Sequence, residues 1–168
     1  MNEQVERLAR RIGEAGACPP ACAWLSLQTS PEQAWRTCRQ GDWLLWIVMR
    51  TCELGDDQHR GAVRAALEII WSSLCDSVRD DNRAAFGALW RWTMRLPLSR
   101  AQRKAVLNSY QGGEIVSRPF RLDLHVSYYL WSDVQQARAA RIVRKHCAMP
   151  ELDAGCPLSA DPLWFVGG

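Results

Sequence analysis

Apolar residues in this chain return at helical spacing in one block after another. Nearly every block is bounded by a glycine, a proline or a capping side chain, a punctuation that suits short helices. Over residues 2–15, Val5, Leu8 and Ile12 fall on one face, while Glu3–Arg7 and Glu6–Arg10 are i,i+4 pairs on the other. Gly16 and Pro19-Pro20 break this helix, and Ala21 to Leu27 has room for one or two turns. Ser30-Pro31-Glu32-Gln33 is a start signal, with Ser30 as cap, Pro31 at the first helical position and Gln33 closing a capping box. That helix carries Ala34, Trp35 and Cys38 inward and ends near Gly41. Asp42 caps the next, from Trp43 to about Leu54, whose opening turns are apolar almost all round, as in a buried central helix.

A longer helix is expected from Asp57 to Val78, with Val63, Leu67, Ile70 and Leu74 in period. Asp80 or Asp81 opens another, whose stripe is Ala85, Leu89, Trp92 and Leu96 before Pro97 stops it. Ser99 with Gln102 starts a further helix to about Tyr110. Phe120 to Val126 alternates strictly, a strand pattern, and Glu114-Ile115-Val116 could pair with it in a short hairpin near 114–126. The favoured alternative is a helix opened by Pro119 that runs to Cys147, with Leu130, Val134 and Ala137 on one face. The tail from Met149 holds Pro150, Pro157 and Pro162 and reads as an irregular strap anchored by Trp164 and Phe165. The expectation is an all-α, single-domain multi-helix bundle over 1–168, with 149–168 as that irregular tail.

Nine tryptophans against three phenylalanines give this core an unusual filler. Each indole is read first as core, since it brings a large apolar body with one N–H that needs a partner. The seven cysteines, Cys18, Cys22, Cys38, Cys52, Cys75, Cys147 and Cys156, are odd in number, and several sit inside apolar helical runs. There is no secretory apolar stretch and no run long enough to span a bilayer, so a cytoplasmic, reduced chain without a membrane partner is expected.

Catalytic motifs are missing from the sequence. His59, His125 and His146 stand in no recognisable nucleophile context, and no G-x-S-x-G, phosphate loop or dinucleotide fingerprint occurs. Cys18 and Cys22 are one close pair without a second zinc knuckle, so no metal and no cofactor are expected. Asp56-Asp57 and Asp80-Asp81 precede expected helices, where carboxylates complement the helix dipole. The net charge is only +3, yet the first 70 residues carry eight Lys and Arg against nine acids, and the rest thirteen against nine. Arg91 and Arg95, spaced i,i+4, and Arg138, Arg141 and Lys145, at i, i+3, i+7, are therefore the candidate partner-binding residues. An acidic protein surface is the expected partner; a nucleic-acid backbone, which needs the two groups to converge, is the alternative.

Pro31-Glu32-Gln33-Ala34-Trp35, Cys38 and Gly41-Asp42-Trp43-Leu44-Leu45-Trp46 together resemble the opening signature of a set of small helical proteins of bacteria and their phages. The set includes immunity proteins of polymorphic toxin systems, of the fifth-type immunity domain. Ile142-Val143-Arg144-Lys145-His146 resembles the closing signature of the phage members. The two matches bracket most of the chain while covering a small part of it. Residues 57–110 depart from the Ala-rich helices of the family, carrying Trp71, Trp90, Trp92 and many arginines. The resemblance implies a non-enzymatic inhibitor in a bacterial host cell. Its target would be a toxin, or a host defence effector as with anti-CRISPR proteins. Within the signature, Asp42 reads as a cap and Trp35, Trp43 and Trp46 as scaffold.

Overall fold

Asn2 sets the first helix, its side-chain Oδ1 accepting the Gln4 N–H at 3.0 Å. This opens a computed structural model that describes residues 2–51, 56–73, 76–104 and 132–150, with backbone alone at 76–82 and 85. Helix α1 (Glu3–Glu14) buries Val5, Leu8 and Ile12, the face its periodicity marks. Helix α2 (Pro19–Ser26) opens on the proline pair, and α3 (Pro31–Thr37) begins where Ser30 Oγ accepts the Gln33 N–H at 3.1 Å. Then come α4 (Gly41–Thr51), α5 (Asp57–Ser73), α6 (Asp76–Thr93) and, after a helical stretch over 100–104, α7 (Asp133–His146). The chain is all-α among the described residues. The hairpin considered for 114–126 lies outside them, as do the end expected near Leu54, the turns after Lys104 and the tail beyond Pro150.

Four expectations need correction. The helix opened by Pro119 does not run on to Cys147: Ser132 is extended (φ −128°, ψ 153°) and starts α7 through a complete capping box with Gln135. Val134 is 77% exposed, because the buried face of α7 is Gln136, Ala139, Ala140, Ile142 and Val143 instead. Helix α6 starts at Asp76, so Asp80 and Asp81 lie within it; Val78 keeps the apolar period and hides the break from a reading of spacing alone. Lastly, α6 ends at Thr93, and Leu96, 45% exposed, is outside its stripe.

That last ending has a specific cause. Leu96 N–H donates to Arg91 O and Arg95 N–H to Trp92 O, both at 3.0 Å, with Arg95 left-handed at φ 55°. Helix α1 closes by the same pair of bonds, Ala17 N–H to Ile12 O and Gly16 N–H to Gly13 O, with Gly16 at φ 88°. One fold thus uses the same helix stop twice, once with glycine and once with an arginine that the left-handed region disfavours.

The helices bury two apolar clusters. The larger joins α4, α5, α6 and α7 around Leu45, Val48, Val63, Ala66, Ile69, Leu89 and Val143, and it includes Cys38 and Cys147. The smaller joins Val5, Leu8, Ile12, Leu25 and Ala34 of α1, α2 and α3. Trp24 packs against both. Helix α7 lies against α4 and α5 at two glycines. A Cβ on Gly41 would sit 2.6 Å from the Ala140 nitrogen, and one on Gly61 would strike the His146 carbonyl. The Gln136 side chain, buried on α7, accepts the N–H groups of Gly41 (2.8 Å) and Asp42 (3.3 Å), capping α4 from across the fold.

Arginines perform the corresponding task at helix C-termini. Arg144 donates to the carbonyls of Trp35 (2.8 Å) and Cys38, where α3 ends. Arg60 donates to Trp92 O at 2.7 Å and Arg64 to Thr93 O at 2.7 Å, closing α6, with the Arg60 guanidinium 4.5 Å from the centre of the Trp92 ring. Below them His59, 2% exposed, meets Trp92 edge-on at 5.7 Å. Burial pushes its imidazole down to about 4; Asp56 acts the other way and Arg60 reinforces the fall.

Three outcomes follow for stability. Gln136→Ala leaves two amides at a helix start without their acceptor and should cost about 1–3 kcal/mol in urea unfolding. Arg95→Gly removes the left-handed penalty and loses only an exposed ion pair, so the free energy of unfolding in urea should rise by about 1 kcal/mol. As pH falls from about 6.5 towards 4, the unfolded chain gains a proton at His59 that the folded chain refuses. Stability should therefore drop across that window by about 3 kcal/mol on this account, a slope that His59→Phe flattens.

Candidate binding cleft

Helices α2 and α3 are only eight and seven residues long, too short to bury large side chains on every side. Their tryptophans, Trp24 and Trp35, remain half-buried, as do Trp43 and Trp46 in the first two turns of α4. Trp24 and Trp43 stand 6.0 Å apart at 56°, two walls at an angle. Between the two apolar clusters these four indoles line a cleft of about 290 Å³ with Leu8 and Ile12 of α1, Ala34 of α3 and Met149 after α7. Gly16 and Cys18 line it at exposed positions.

Asp42 is the one Asp, Glu, Lys, Arg or His among the described lining residues. Its Oδ1 accepts the Trp43 N–H at 2.9 Å, but α4 already starts at Gly41, so Asp42 lies in its first turn instead of capping a helix from Trp43, and Gln136 supplies the cap. The carboxylate is half-buried at the start of α4, where helix polarity favours it. Two thiols also reach the cleft. Cys38 is buried and its thiol is raised by that burial; Cys18 is exposed. Trp46 carries the Arg50 guanidinium 5.2 Å from its ring centre. The walls are thus aromatic and aliphatic, with one fixed negative charge, a composition that suits holding an apolar group and orienting it.

The candidates proposed from charge lie elsewhere. Arg95 follows the end of α6 in its left-handed turn and pairs with Asp57 at 2.6 Å, so it does not share a helical face with Arg91. Arg91 is half-buried and donates to Pro97 O at 2.9 Å, while its buried Nε meets no acceptor among the described residues. Arg138 and Arg141 are exposed on α7. Lys145 reaches Glu68 of α5 at 3.1 Å, and the His146 ring nitrogen meets the same carboxylate at 2.6 Å. Burial alone would raise the Glu68 carboxyl, yet the bonds from His146 and Lys145 and their charges hold it below the usual carboxylate range. Trp90 closes this cluster edge-on to His146 at 6.4 Å.

Of the histidines, His59 is buried behind Trp92 and His146 is held by Glu68; neither lines the cleft, and His125 lies outside the described residues. No group of three or more His, Cys, Asp or Glu able to hold a metal occurs among the described residues. No helix there is long and apolar enough to cross a membrane.

Trp24, Trp35, Trp43 and Trp46 lie outside the basic pattern that marked the candidate residues. A signal for them did exist: four indoles on three short helices exceed what such helices bury, and tryptophan is enriched where a surface is meant to be covered. No protein-family model matches the chain, and no curated protein or solved structure does so either.

Proposed function

We propose that this chain is a non-enzymatic binding protein that inhibits a protein partner by holding an apolar anchor of it in the tryptophan cleft. The observation that carries this reading is the cleft itself: about 290 Å³ walled by four half-buried indoles beside one carboxylate. Aromatic surfaces of that kind dominate binding energy when a partner side chain desolvates them. Much of the opening signature lines it, Trp35, Asp42, Trp43 and Trp46 among the residues that do. With the resemblance, this supports an inhibitor of the toxin-immunity or phage anti-defence kind. Its scaffold would be a single helical bundle, acting in the cytoplasm of a bacterial host on a toxin or a defence effector.

The nucleic-acid alternative draws on Arg138 and Arg141, which α7 leaves exposed. Arg95 and Lys145 are spent on Asp57 and Glu68, which thins the charge available to a phosphate backbone. A protein partner is therefore the reading we adopt.

Affinity capture from a bacterial lysate, compared across three forms of the protein, tests this. The unaltered chain and an Arg138→Glu, Arg141→Glu double variant should enrich the same protein in a stoichiometric complex. A folded Trp43→Ala variant should lose it by about thirtyfold or more, the scale of a central interface tryptophan. Equal capture by the Trp43→Ala variant removes the cleft from the account; loss with the arginine variant alone, relieved by added salt, favours nucleic acid.

A further inference from the structure

The reading of the cleft as a docking site leaves open what enters it, and the lining residues narrow the answer. An anion meets the electron-rich faces of the indoles and the Asp42 carboxylate, both repulsive. A neutral apolar group would fill the volume and leave a half-buried carboxylate without a new partner. A cation with an apolar stem satisfies both walls at once, since indole faces attract cations and the stem covers aliphatic surface. Among the described residues no bond occupies the second Asp42 oxygen, while the first is held by the Trp43 amide. Arg144 is directed to the Trp35 and Cys38 carbonyls and Arg50 lies over Trp46, and neither lines the cleft.

The chain already uses this chemistry internally. Arg50 lies over Trp46 at 5.2 Å and Arg60 over Trp92 at 4.5 Å. A guanidinium stacks flat on an indole and is less strongly hydrated than an ammonium, so it enters an apolar cleft at lower desolvation cost. The cavity, near the lower end of the roughly 300–1,000 Å³ common for ligand pockets, suits one long side chain better than a folded element.

On these grounds, and resting on the cleft reading above, we infer that the cleft takes an arginine side chain of the partner protein, its stem between the tryptophans and its guanidinium on Asp42. The partner segment presents that arginine flanked by apolar residues, which meet Leu8, Ile12 and Met149.

Calorimetric titration of the full chain with capped heptapeptides tests it. The peptides carry arginine, lysine, norleucine or glutamate at the centre between leucines. The arginine peptide should bind about tenfold tighter than the norleucine peptide or more, and tighter than lysine, with glutamate weakest. Asp42→Asn, which keeps an oxygen for the Trp43 amide, should erase most of the arginine advantage while leaving norleucine binding unchanged. Thermal unfolding by circular dichroism checks that this variant is folded. If norleucine or lysine matches arginine, or Asp42→Asn leaves the order intact, the arginine assignment fails and the cleft reading stands. If none of the four peptides binds, both fall.

Discussion

The fold depends on how closely α7 approaches α4. Gly41 has no side chain, so Ala139 and Ala140 can press against its backbone. At that distance Gln136 reaches the two amides that α4 exposes at its start. One missing Cβ therefore permits both a close helix contact and the cap that stabilises it. The other end of α7 repeats the arrangement at Gly61, where the His146 carbonyl lies, and Gln58 adds a two-way bond to the Ala148 backbone. Short helices have a high proportion of unsatisfied ends. Here those ends are closed across the tertiary structure as much as along the chain.

That economy accounts for much of the charge. Arg60, Arg64 and Arg144 hold carbonyls at the ends of α6 and α3, and Arg95 and Lys145 hold carboxylates of α5. A basic residue count suggests a surface ready for phosphate, whereas these five cationic groups are engaged within the molecule. What remains on the outer face of α7 is Arg138 and Arg141. The field they produce can steer a partner more readily than it can hold one, because exposed charges are screened by salt.

The cleft arises from the same geometry. Two apolar clusters form because α1, α2 and α3 pack with one another and α4, α5, α6 and α7 with one another, sharing Trp24 at the join. Bulky indoles on short helices cannot interdigitate to full density at such a seam, so a cleft is left between the clusters. Trp43 and Trp46 thus serve as scaffold on one side and as wall on the other. The scaffold role was legible from their i,i+3 spacing; the wall role was not, since spacing gives a face and says nothing of how completely that face is covered.

Local chemistry along the chain determined the helical class, the inward face of α1 and the start of α3 at Ser30. Each of these is settled within four residues by side-chain bonds and periodicity. The start of α7 was equally local, in the Ser132 and Gln135 pair, but alternation before it and the apolar look of Val134 masked it. Only the tertiary structure decided which arginines are spent, that Gln136 caps a helix that starts 95 residues earlier, and that four tryptophans border a cleft. Those features join groups remote in sequence through contact distances of a few ångströms, and no local pattern records which distant surface arrives to meet them.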